Sequence, residues 1–370
     1  MAQSCLFTAV LPALLIYNLA MTVIDAAVVA FVRRRTLAAW LTGSATVPIA
    51  AVVLALAVGV PLVGTRMGVL RLLADGLFFH TLAVLLIGAV LLWRLHGKTA
   101  MLSAILALSL SVIAIDAFLV EPQWLEVARL EIASEKISRR VRLVVLADLQ
   151  TDHFSDYEHM VFRRALAERP DVLLLAGDYL QASPETRRQI RDDFRDRLGS
   201  AFSSSTVAYA VRGNVDRDDW AELFSETPIV AVERTRRFDL GEIQLTCLAW
   251  RQSFWPNLAL PAAPSNKYHI VLGHSPAYAR GRIEADLLLA GHTHGGQVRL
   301  PLLGSVSKMP HMPRAWMAGQ HKLPSGATLV VSRGVGMERD EAPRLRFLCR
   351  PELVVIDLVP KAATATPESP

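Results

Sequence analysis

Apolar residues are unevenly spread along this chain, nearly unbroken before residue 121 and in short bursts after it. Leu6 to Phe31 and Thr36 to Thr65 contain no Lys or Arg, and comparable stretches follow at Leu72 to Trp93 and Thr99 to Val120. About 20 residues at about 1.5 Å each cover a hydrocarbon core of roughly 30 Å, so each stretch is long enough to span one. The first lacks a basic leader and outruns the apolar core of a signal peptide, which favours a span. Four transmembrane helices over 1–120 are the expectation.

Beyond Glu121 the pattern is that of a water-soluble domain. Val141 to Ala147, Asp171 to Ala176, Val207 to Val211, Ile243 to Ala249, His269 to Leu272, Asp286 to Ala290, Thr328 to Ser332 and Leu353 to Leu358 are short runs rich in Val, Ile and Leu. They predict buried strands. Tyr157 to Arg169 has helical composition and stops before Pro170, giving a strand–helix–strand unit. Thr186 to Leu198 is charged at helical spacing and predicts a solvated helix face. The domain is expected over 121–360, followed by a small, polar, disordered tail over 361–370.

The hydrophobic fraction of 52% and mean hydropathy of +0.33 exceed those of an ordinary soluble chain, and the first third accounts for the excess. A net charge of +5 and a pI near 9.3 raise the question of nucleic acid, but the basic residues are scattered and many flank apolar segments. They predict membrane-flanking and solvating charge, with a lipid bilayer rather than nucleic acid as partner. Arg33, Arg34 and Arg35 follow the first span and Arg94 and Lys98 the third, against Arg66 and Arg71 in the second loop. By the positive-inside rule the N-terminus and the large domain lie outside the cytoplasm, in a multi-pass cell-membrane protein. Cys5, Cys247 and Cys349 form no spaced motif, and a bridge between the last two has no support in the sequence. Asp25, Asp75, His80 and Asp116 fall inside apolar stretches, where ionisable groups are costly; Asp75 and Asp116 are expected near span ends.

The chemistry-bearing residues cluster at the exits of the expected strands. Asp148 and Gln150 follow the first, Gly177–Asp178 the second, and Gly213–Asn214–Val215–Asp216 the third. Gly273–His274 and Gly291–His292–Thr293–His294–Gly295–Gly296 follow two later ones. Strand exits form the rim where α/β sheets bind ligands. Five such segments on one rim supply the oxygen and nitrogen donors that two divalent cations need for in-line phosphoryl displacement.

In this order, the motifs from Arg142 to Leu358 resemble the calcineurin-like metallophosphoesterase superfamily. Gly-His-Thr-His-Gly-Gly-Gln (291–297), Ser-Arg-Gly-Val-Gly (332–336) and Pro-Glu-Leu (351–353) look like its bacterial membrane-associated branch. The resemblance implies an N-terminal all-α transmembrane bundle followed by an α/β four-layer sandwich. It implies Asp178 as the carboxylate bridging two divalent metal ions (Mn, Fe, Zn or Mg), Asp148 and His294 on the first, and Asn214, His274 and His292 on the second. Where the family usually has His, this chain has Gln150 and Val215. Gln150 offers an amide oxygen in place of imidazole, which favours a harder cation; His153 is an alternative donor. Val215 cannot supply a proton, which points to a good leaving group or to another donor, so the catalytic acid is not assigned. Asp152, Asp171 and Asp216 read as turn residues, and His96, His159, His269, His311 and His321 carry no motif. Trp250, Trp255 and Trp316 fit either packing or a lipid groove.

The expected activity is metal-dependent hydrolysis of a phosphodiester or pyrophosphate, on a phosphate-containing small molecule or lipid, at a membrane. A degenerate fold serving as a metal-dependent binding or scaffold module is the alternative, motivated by Gln150 and Val215. A transporter would rest on Asp25 and His80 alone.

Overall fold

The computed structural model describes residues 2–33, 36–94, 96–201, 206–309, 312–339 and 341–361, so Arg34, Arg35, His311 and the tail beyond Lys361 lie outside the described residues. The chain divides into two compact units, Met1–Val120 with Glu338–Leu345, and Glu121–Met337 with Arg346–Pro370.

The first unit is helical: α1 (Ala2–Val32), α2 (Leu37–Leu62), α3 (Arg66–Leu92) and α4 (Gly97–Ile115), the last continuing through a π-turn at Asp116–Val120. Thr36 caps α2 and Thr65 caps α3, each accepting a backbone N–H three residues on. All four helices are long and apolar enough to cross a membrane. Leu11, Leu15, Leu19, Val53 and Val90 point outward with more than half of their surface uncovered, the reverse of a soluble bundle. The third span starts at Arg66 rather than Leu72, because Thr65 caps the helix ahead of the charged turn; Asp75 is thereby well inside the helix, not at its end. Asp25 and His80 meet, Asp25 Oδ2 lying 2.6 Å from His80 Nδ1. Asn18 extends the pair, 2.9 Å from His80 Nε2 through its oxygen and donating Nδ2 to Asp75 at 3.2 Å.

The second unit holds β1 (Glu126–Ser134), β2 (Val141–Leu146), α5 (Asp156–Ala167), β3 (Val172–Leu175), α6 (Pro184–Ala201), β4 (Val207–Val211), β5 (Ile229–Val232), β6 (Arg236–Leu240), β7 (Ile243–Cys247), α7 (Trp250–Ser253), β8 (Tyr268–Leu272), β9 (Leu287–Ala290), β10 (Gly319–Lys322), β11 (Thr328–Val331) and β12 (Glu352–Pro360). Two six-stranded sheets result, in the orders β1-β12-β2-β3-β4-β5 and β10-β11-β9-β8-β7-β6. Alternation within the apolar runs assigns each side chain to a layer. Leu143 and Val145 join Leu245, Ile270 and Leu289 in the core between the sheets, while Val144 and Leu146 face α5 and α6 through Val161, Phe162, Ile190 and Phe194. On the far side, Val271, Leu288 and Leu329 pack under short helical turns at Tyr278 and Ala279. Helix, sheet, sheet and short-helix layers make the four-layer α/β sandwich, its central strands buried on both faces. Cys247 and Cys349 are both buried and free.

Candidate metal centre

Strands β2, β3 and β4 run parallel, as do β7, β8 and β9 in the second sheet. Their C-terminal ends therefore share one edge of the sandwich, and each motif begins within three residues of such an end. Asp148, Asp178, His292 and His294 adopt left-handed backbone conformations (φ 52°, 57°, 70° and 48°), which non-glycine residues occupy only when their surroundings hold them there. The loops are interlocked. Asp148 N–H donates to Gly177 O at 3.0 Å, and Gln150 N–H to Asp178 O at 2.8 Å. Gly177 is required by space as well as by its φ of 92°, because a Cβ there would lie 2.6 Å from Gly213 N.

These contacts converge the predicted residues. Donor atoms of Asp178, His274 and His292 lie within 4.8 Å of one another, and so do those of Asp148, Asp178 and His294; Asp178 is common to both groups. Each group brings three donors from separate loops close enough together to converge on one divalent ion. His274 Nε2 is 3.2 Å from Asp178 Oδ2 and 2.9 Å from Asn214 Oδ1, which brings Asn214 to the same group. Gln150 is buried and donates Nε2 to Gln181 Oε1 at 2.7 Å. His153 is outside the cluster, its side chain 65% exposed and 2.9 Å from Asp152.

The electrostatics show a site built for cations. Burial drives the Asp148 carboxyl up to about 7 even with His274 nearby. Burial also drives His292 and His294 down to about 3, leaving the neutral imidazoles that bind metals. For His274, burial is outweighed by Asp178 and Asp148, which hold it up at about 9. Two carboxylates and three imidazoles are packed together at this rim. Divalent cations balance them.

Two supporting residues were not legible beforehand. Asp216, expected as a turn residue, is buried and accepts the backbone N–H groups of Asp178 (2.8 Å), Tyr179 (2.7 Å) and Gly213 (2.8 Å), tying the β3 and β4 exits together. Beside it Val215 N–H donates to Asp178 Oδ1 at 2.9 Å, so the position where the family has His orients the central carboxylate through its backbone. Arg346 is fully buried and donates to carbonyls, among them Cys349 (2.9 Å), Arg333 (2.8 Å) and Gly336 (3.0 Å), with Cys349 Sγ 3.9 Å from its Nη1. It clamps the Ser-Arg-Gly-Val-Gly segment, whose Gly336 N–H reaches Asp148 O at 2.7 Å. A Cβ on Gly336 would meet Leu149 O at 1.9 Å, which explains the glycine. The tryptophans divide: Trp316 packs against the outer core, Trp255 is half exposed, and the Trp250 ring meets the guanidinium groups of Arg212 and Arg251 at 5.3 and 5.0 Å. Next to Trp250, the Phe254 ring stands edge-on to His292 at 4.9 Å and forms an apolar wall of the site.

Residues 141–296 match the model of the calcineurin-like phosphoesterase family. The chain is 29% identical over 263 residues to Phosphodiesterase YaeI of Escherichia coli K12, covering 65% of this chain and 90% of that protein. It is 24% identical over 304 residues to an uncharacterized metallophosphoesterase of Campylobacter jejuni, covering 76% and 78%. A dimetal phosphatase structure from Danio rerio aligns with 55% of the chain and 91% of that structure at a TM-score of 0.32 and 12% identity.

Proposed function

We propose that this chain, whose second unit is a calcineurin-like metallophosphoesterase domain and which is a metal-dependent phosphoester hydrolase, cleaves a phosphodiester or pyrophosphate at a membrane surface to which its first unit anchors it. The supporting observation is the pair of buried donor groups that share Asp178. In this reading Asp178 would be shared by two cations. Asp148, His294 and the neutral oxygen donor Gln150 complete the first site, and Asn214, His274 and His292 the second. Bound there, the cations would activate water and offset the charge that builds on the phosphoryl oxygens. Mn²⁺ or Mg²⁺ suits the first site best, because Gln150 replaces an imidazole with an amide oxygen.

The chain's own groups do the rest. Val215 N–H donates to Asp178 Oδ1 and His292 N–H donates to both oxygens of Asp148 at 2.9 Å, so the carboxylates are oriented before substrate arrives. Phe254 packs edge-on against the His292 ring and supports it from one side. No side chain at Val215 can protonate a leaving group, so a leaving group that departs as an anion, such as a phosphate in an anhydride, fits better than an alkoxide. A lipid-linked anhydride or diester fits the anchor, since a tethered site samples a two-dimensional substrate pool. Purified full chain in detergent should hydrolyse bis(p-nitrophenyl) phosphate when Mn²⁺ is added and stop when it is chelated. Metal-loaded, folded protein with no turnover of any diester or anhydride would favour the scaffold reading instead.

The orientation we propose places the catalytic domain outside the cytoplasm, from the basic residues of the first and third loops. The substrate is then an exported or outer-leaflet phosphate compound. Alkaline phosphatase fused after Pro360 should be active and green fluorescent protein fused there dark. The opposite pair of results would reverse the topology and make a cytoplasmic-leaflet compound the substrate.

A further inference from the structure

Beside the proposed catalytic rim, between α6 and the loop leaving β4, lies a cavity of about 30 Å³ lined by Arg187, Arg188, Arg191 and Arg217. Four arginines along one cavity wall carry charge that needs compensation. The protein supplies part of it. Asp219 stands 3.6 Å from Arg187, and Glu222 pairs with Arg191. Asp216 also lines the cavity, but its oxygens are taken by three backbone N–H groups.

On a solvated helix face these arginines would extend into water. Instead the side chains of Arg187 and Arg191 are only 14% and 28% exposed. The Nε of each is buried and, among the described residues, has no hydrogen-bond partner. A buried guanidinium N–H without an acceptor is costly, and two such groups on residues that line one cavity call for an oxygen-rich ligand there. Arginine presents its N–H groups as a planar fork that matches an oxyanion such as phosphate.

The cavity is also close to the metal centre along the chain. Leu180, on its wall, is two residues beyond Asp178, and Arg217 is three beyond Asn214. At about 3.6 Å per residue, those walls lie within about 7 and 11 Å of the Cα atoms of the two proposed ligands.

We infer that this arginine cavity is an oxyanion subsite that holds a second phosphate group of the substrate, beyond the one being cleaved. The inference rests on the reading of the metal centre given above, and it narrows the substrate to a compound with two phosphate groups a few bonds apart.

The test uses full chain in detergent with Arg187→Gln and Arg191→Gln combined, and separately Arg217→Gln, which reaches the cavity from a different loop. Titrated calorimetrically into chelator-stripped protein, inorganic phosphate should bind wild type and bind each variant at least tenfold more weakly. In metal-loaded protein, kcat/KM for UDP-glucose, used as a pyrophosphate probe, should fall at least tenfold, while that for bis(p-nitrophenyl) phosphate, which has one phosphate, should stay within twofold. Undiminished phosphate binding in folded variants, no binding by wild type, or equal losses on both substrates would overturn the subsite. If wild type hydrolyses neither compound, the proposed activity fails, and the phosphate titration still decides whether the arginines form an oxyanion site.

Discussion

Replacing Asp178 by Asn should abolish metal-dependent hydrolysis, lowering kcat/KM on the order of 10³-fold or more, equivalent to at least about 4 kcal/mol of transition-state stabilisation. Asp178 is the one side chain common to both donor groups, so losing its charge weakens two cation sites rather than one. Asparagine keeps the shape, and its oxygen can still accept the Val215 N–H that Asp178 Oδ1 accepts at 2.9 Å, so the loop should survive. The check is metal content by mass spectrometry beside activity and circular dichroism. A folded variant with wild-type metal content would remove Asp178 from the bridging position. Metal loss without loss of activity would remove the cations from the reaction.

Most of this was legible in the sequence, and the part that was not has a physical cause. The eight strands expected from Val-, Ile- and Leu-rich runs are the interior strands of the two sheets, buried on both faces and therefore continuously apolar. The four strands outside that expectation are β1, β5, β6 and β10, the outermost strand at each edge of each sheet. An edge strand meets water, and in β1 and β6 the sequence mixes charge with apolar residues: Glu126, Arg129 and Glu131 in β1, Arg236, Arg237 and Asp239 in β6; β5, Ile-Val-Ala-Val, is the exception, an apolar run at an edge. Glu126 to Ser134 thus has no run to detect, although all nine of its residues pair with β12.

The site divides the same way. Asp148, Asp178, Asn214, His274, His292 and His294 announce themselves because donor residues next to glycines at strand exits recur in order. The groups that hold them do not. Asp216 has the sequence context of a turn, and its three backbone partners come from segments up to 38 residues away. Arg346 lies in a stretch with Arg344 and Arg350, and nothing local distinguishes the buried one from its neighbours. A long-range hydrogen bond to a backbone carbonyl leaves no mark on the partner's residue type, so such residues become visible only in three dimensions.

Arg346 therefore carries the prediction furthest from anything the motifs suggest. Its guanidinium is fully buried without a carboxylate among its hydrogen-bond partners, and burial pushes its pKa down from the usual arginine value, yet the carbonyls of Arg333, Gly334, Gly336 and Cys349 surround it. Arg346→Met would fill most of the volume but leave those carbonyls without their donor, at a cost of about 1–3 kcal/mol for each that water cannot reach. A loss of about 3–5 kcal/mol is expected for the domain, a large share of the 5–15 kcal/mol typical of folded domains. In a unit of this size it corresponds to a melting temperature lower by roughly 10 °C. Arg346→Lys should rescue little, because a single ammonium cannot span carbonyls arranged for a planar fork. The loosened segment also contains Gly336, whose N–H reaches Asp148 O, so metal affinity should fall along with stability although Arg346 is not a proposed ligand. Thermal melts of the chelated and the Mn²⁺-loaded protein separate the two effects. A chelated variant that melts within about 2 °C of wild type would show that water or a neighbouring side chain replaces the guanidinium. A destabilised variant whose Mn²⁺ affinity is unchanged would confine Arg346 to holding the fold and detach it from Asp148.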